Sequence, residues 1–96
     1  MNLLKEYDIN IDHDSSETKV QQLINEIIRL VNTKLGKGDI LPSINILSKD
    51  LGISRDTVFK AYNELKKRQI VDSTPTKGYY VCKEMNKVLL FLDFYS

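Results

Sequence analysis

Ser43 and Ser54 each stand directly ahead of apolar residues at helical spacing, and only Gly52 and Ile53 separate the two stretches. The first apolar edge is Ile44, Leu47 and Leu51. The second is Val58, Ala61, Tyr62 and Leu65, the i, i+3, i+4, i+7 set of one helix face. A serine hydroxyl accepts a backbone N–H left over at a helix start, so each serine marks an N-terminus. Glycine takes the left-handed backbone that closes a helix at least cost, so Gly52 marks an end. Two helices joined by so short a glycine-containing turn cross steeply, which is the helix-turn-helix arrangement.

The flanking segments extend this pattern. From about Thr18, Val20, Leu23, Ile24, Ile27, Ile28, Val31 and Leu35 recur at helical spacing, with Asp14 or Ser16 as the expected cap. Gly36 and Gly38 are the expected end of that helix. Pro42 then holds Leu41 extended. The helix after Ser54 runs to about Arg68, and residues 70–73 and 79–83 read as two short strands. Thr74-Pro75-Thr76-Lys77-Gly78 between them has turn chemistry. Of the adjacent Tyr79 and Tyr80, one is expected inward and one outward. The predicted fold is mainly α with a small β-hairpin: a winged helix-turn-helix of three helices plus a wing, over residues 18–83. Residues 1–17 form an N-terminal arm, in which the alternation of residues 7–12 suggests a short edge strand.

Composition excludes several function classes. Ninety-six residues suit one small domain, and no apolar run approaches the ~20 residues of a membrane span. The first residues lack the basic, apolar, small-residue order of a secretory signal. The lone Cys82 cannot form an internal disulfide, which fits a reducing cytoplasm, and reads as a buried strand residue ahead of a reactive thiol. His13 has no second His or Cys near it, so neither a metal nor a cofactor is expected. No Ser-His-Asp set, phosphate-binding glycine loop or carboxylate pair points to an enzyme. The formal net charge is only +1, but it is unevenly spread. Residues 1–17 set Lys5 against Glu6, Asp8, Asp12, Asp14 and Glu17, a net −4. Residues 54–83 set Arg55, Lys60, Lys66, Lys67, Arg68, Lys77 and Lys83 against Asp56, Glu64 and Asp72, a net +4. One basic segment in a neutral chain suits a surface that faces a polyanion.

Leu41-Pro42-Ser43, then Leu51-Gly52-Ile53-Ser54-Arg55-Asp56-Thr57-Val58, Leu65 and Gly78-Tyr79-Tyr80-Val81, resemble the GntR family of bacterial transcription factors in order and spacing. The resemblance covers about residues 18–83. It implies a dimeric repressor or activator bound to an inverted-repeat operator in double-stranded DNA. Two departures stand out. The family often has arginine where this chain has Phe59, and arginine or another polar residue where it has Asn45; in relatives those arginines contact a base and a phosphate. The wing also has Thr76 where many members have glycine.

The candidate DNA-binding residues are Ser43, Ser54, Arg55, Asp56, Thr57, Phe59, Lys60, Asn63, Lys77 and Gly78. Asp56, Phe59, Lys60, Asn63 and Lys67 occupy the third helix opposite its core face, where a recognition helix meets base edges. Phe59 has two placements open to it: against a thymine methyl in the major groove, or packed on the wing or the first helix. The Arg55 fork suits guanine O6 and N7 or a phosphate, and its bland alternative is an ion pair with Asp56 or Asp50. Ser43, Ser54 and Thr57 serve as caps or first-turn residues, and hydroxyls at a helix start also suit a phosphate. Lys77 and Gly78 at the wing tip are placed to meet the minor groove or its flanking phosphates, although Gly78 has a turn to make in any case.

Val88-Leu89-Leu90-Phe91-Leu92 is the most hydrophobic run and resembles the first buried strand of an α/β domain, such as the LacI-type effector domain fused to some GntR-type heads. Residues 84–96 are therefore expected to hold a linker and the start of a truncated effector domain for a small molecule. Dimerisation is then weak in this chain, and a reading frame that stops naturally after Ser96 would contradict the expectation. The competing function is a protein-interaction module anchored on Phe59 and the tail, without DNA binding.

Overall fold

A computed structural model describes residues 9–82. Helices α1 (Lys19–Thr33), α2 (Ile44–Leu51) and α3 (Arg55–Lys67) precede strands β1 (Val71–Thr74) and β2 (Gly78–Val81), so the predicted winged helix-turn-helix is the observed fold. The strands pair antiparallel with Val71 opposite Val81 and Thr74 opposite Gly78, so each is offset by about one residue from its expected range.

The local caps explain the boundaries. Ser43 Oγ accepts from the Ile46 N–H at 3.2 Å, and Ser54 Oγ accepts from the Thr57 N–H at 3.1 Å. Gly52 closes α2 with φ +67°, as its residue type requires. The cap of α1 is a correction: Thr18, and neither Asp14 nor Ser16, accepts from the Gln21 N–H. The preceding residues curl into turns of their own, with the Asp14 N–H on Asp12 Oδ1 and the Glu17 N–H on Ser15 Oγ. The helix also stops at Thr33, ahead of both glycines, when Lys34 and Leu35 N–H groups converge on the Leu30 carbonyl.

Two long-range features were not expected. Residues 38–41 lie along the free side of β2: Gly38 N–H donates to Val81 O, Val81 N–H to Asp39 O and Leu41 N–H to Tyr79 O. The wing thus carries a third paired segment, and the chain entering α2 is tied to it. The second feature is the arm. Residues 9–12 form no strand; Ile9 enters the core, and the Asp12 N–H and carbonyl bond the two ends of the Gln22 side-chain amide.

The core joins Leu23, Ile27 and Leu30 of α1, Leu47 of α2, Val58, Tyr62 and Leu65 of α3, and Val71 and Val81 of the wing. Helix α3 packs against α1, α2 and β1, so it is the central strut of the domain. Tyr62 lies wholly inside, its hydroxyl donating to the Pro42 carbonyl at 2.7 Å and its ring 4.5 Å from that of Tyr79. Burial, and secondarily Tyr79, push its phenol well above the usual tyrosine range. Cys82 is half-buried just past β2, and its thiol donates to the Gln69 carbonyl.

Candidate nucleic-acid interface

The short turn of Gly52 and Ile53 angles α3 so that the Arg55 side chain at its start reaches Asn45 in the first turn of α2, and the hairpin turn returns to the same region. Ser43, Arg55, Lys77 and Gly78 consequently line one open groove, floored by Pro42 and Tyr79 and edged by Asn45. Four of the ten predicted residues therefore meet there, although they come from three separate stretches of chain. Gly78 has φ +74° and opens β2, so its residue type serves the turn. Lys77 is exposed, its ammonium 4.9 Å from the centre of the Tyr80 ring, a cation–π contact that holds it beside the sheet. Tyr79 faces the core through Tyr62 and Tyr80 faces outward, as adjacent strand residues must.

The other predicted residues divide over the exposed surface of α3. Lys60 and Asn63 border a second groove, between α3 and Val20, Gln21 and Ile24 of α1. Thr57 is half-buried toward the arm; its hydroxyl lies 2.8 Å from Ser54 Oγ, so both groups are engaged in the cap. Asp56 and Lys60 form an ion pair at 3.0 Å, both side chains mostly in solvent. Screening makes such a pair worth a few tenths of a kcal/mol at most, on the order of other exposed i, i+4 pairs. Its larger effect is to set a carboxylate beside a lysine on the outward face.

Phe59 is 46% exposed, so its ring is not sealed inside against the wing or the first helix, and part of it faces solvent. Helical spacing sets it one turn beyond Arg55 and one turn before Asn63. That flank points toward the wing, because Lys66, further along it, donates to Ser73 Oγ of β1 at 3.0 Å. Arg55 forms neither expected ion pair. Its Nη1 donates instead to Asn45 Oδ1 at 3.3 Å, across the turn from α2. Asn45 was legible only as a departure from the family pattern; that it steadies Arg55 depends on how the two helices cross. Ile46, exposed on α2 next to Asn45, was also missed, and its place off the Ile44–Leu47–Leu51 edge is the signal that could have found it.

Residues 17–81 match the family described as "Bacterial regulatory proteins, gntR family". The chain belongs to the GntR family. Its winged helix-turn-helix is the DNA-binding domain of that family. YtrA from Sulfolobus acidocaldarius, a GntR-family transcription factor of known structure, is 34% identical with a TM-score of 0.73, over 91% of this chain and 93% of that one. The DNA-binding domain of AraR, solved in complex with operator ORX1, is 26% identical with a TM-score of 0.68, over 75% of this chain and 92% of that one. Among curated relatives, the uncharacterized HTH-type transcriptional regulator YcxD of Bacillus subtilis (strain 168) is 39% identical over 70 residues, 72% of this chain. The HTH-type transcriptional repressor YtrA of the same strain is 31% identical over 83 residues, 85% of this chain. The chain spans 16% of the length of YcxD and 64% of that of YtrA. No helix among the described residues of this GntR-family chain is long and apolar enough to cross a membrane.

Proposed function

We propose that this chain is the operator-reading head of a cytoplasmic bacterial transcriptional regulator, binding an inverted-repeat duplex as a homodimer. Helix α3 lies in the major groove, and the β1–β2 turn meets the flanking groove. The observation that carries this reading is the outer surface of α3, where Arg55 lines a groove with Ser43, Lys77 and Gly78, and Phe59 stands one turn further on, partly in solvent. The starts of α2 and α3 border the same region, and their positive dipole ends favour phosphate. The AraR domain solved with its operator supports the choice of partner. Arg55 is the leading base-edge contact, held by Asn45; Ser43, Ser54, Thr57, Lys60, Lys77 and Gly78 position the domain on the backbone. Asp56 restrains Lys60 and discourages non-specific contact. The role is one of binding, with no catalysis, metal or cofactor. Residues 84–96 lie outside the described residues; their reading as the start of a small-molecule effector domain belongs to this proposal.

The test is selection of duplexes from a random pool, followed by fluorescence anisotropy over 50–200 mM salt. A selected inverted repeat is expected, with half-sites about one helical turn or a multiple apart, and affinity should fall steeply with salt. Arg55→Ala should weaken specific binding by roughly 5- to 150-fold, the equivalent of about 1–3 kcal/mol. Salt-insensitive binding, or capture of a protein partner with no duplex selected, overturns the proposal.

A further inference from the structure

We infer that Phe59 reads the C5 methyl group of a thymine, one or two base pairs from the base that Arg55 contacts. The inference rests on the DNA-binding reading of α3 and deepens it to a named base. An apolar ring that is 46% exposed at the start of α3 leaves hydrophobic surface in water, and among the described residues no ring or cation stacks on it. Its neighbours along the helix flank are polar on both sides, Arg55 one turn before and Asn63 one turn after. The apolar patch on α3 is therefore one ring wide. A protein partner's anchor sits in a wider apolar surround, whereas a single methyl among hydrogen-bonding base edges is what the major groove presents at thymine.

The spacing fixes where that thymine lies. Arg55 and Phe59 are four residues apart, about 6 Å along the helix axis, and successive base pairs are about 3.4 Å apart. A guanidinium on one base thus leaves the ring over a base no more than two steps away. The Arg55–Asn45 hydrogen bond limits the drift of the guanidinium and so keeps this separation.

The experiment uses the whole 96-residue chain and its selected duplex. Each thymine of the half-site is replaced in turn by deoxyuridine, which removes the C5 methyl and leaves pairing intact. One thymine within two base pairs of the position made indifferent by Arg55→Ala should lose about fourfold in affinity per half-site, the effect of exposing one methyl-sized group. At that position Phe59→Ala should bind the thymine and deoxyuridine duplexes alike, and Phe59→Leu should keep part of the difference. Equal wild-type affinity with deoxyuridine at every thymine overturns the inference while the DNA-binding reading stands. So does a methyl effect that survives in Phe59→Ala. Failure to select any duplex overturns both.

Discussion

Replacing Tyr62 with phenylalanine isolates one buried hydroxyl that ties the central helix to the segment entering α2. The ring stays, so packing against Tyr79 and the core is kept, and only the 2.7 Å bond to the Pro42 carbonyl is lost. Pro42 is buried, so its carbonyl is left short of a donor, and a cost of about 1–2 kcal/mol at neutral pH follows. The penalty should then shrink at alkaline pH. Burial, with a smaller contribution from Tyr79, keeps the Tyr62 phenol protonated in the fold well above pH 10, whereas in the unfolded chain it ionises near pH 10. Above that point the unfolded state binds fewer protons than the native state. Wild-type stability therefore declines by about 1.4 kcal/mol per pH unit through this group alone, until the folded phenol itself ionises. The phenylalanine variant lacks that loss, and every other titrating group is shared. Urea unfolding followed by circular dichroism at pH 7, 10 and 11 should give a gap of about 1–2 kcal/mol that closes to near zero by pH 11. A gap that stays constant from pH 7 to 11 refutes the reasoning, because the phenol would then ionise as freely folded as unfolded.

Two further outcomes follow from the structure. Gln69 follows α3 with φ +62°, a left-handed conformation that costs an L-residue about 1–2 kcal/mol, part of which glycine gives back through its freer unfolded chain. Gln69→Gly should therefore raise the melting temperature by about 2–8 °C in a thermal scan, and a lowered value would contradict the strain. Ile9→Ala should destabilise the domain by roughly 2 kcal/mol or more in urea titration, because the arm residue belongs to the core; an unchanged midpoint would show that the arm does not dock.

Much of the site was legible because its signals are local. The caps at Ser43 and Ser54 and the Gly52 stop act over one helical turn, and they place α2, the tight turn and α3 with no reference to the rest of the chain. The periodicity of α3 also separates Val58, Ala61, Tyr62 and Leu65 from its outward face. The cap of α1 was misread because Asp14, Ser16 and Thr18 all have the chemistry to cap, and choosing among them depends on which turn closes first. Gln69 carried no signal for a left-handed residue, since glutamine seldom adopts one.

The sequence by itself determined the order and type of the elements and the residues that face outward from α3, since short-range hydrogen bonds and a 3.6-residue period suffice for both. Only the tertiary structure decided that residues 38–41 add to the wing, that Ile9 enters the core, that Asn45 holds Arg55 and that Phe59 is left about half exposed. Each of these depends on groups distant in sequence meeting in space, and such meetings are set by how α1, α3 and the hairpin pack together.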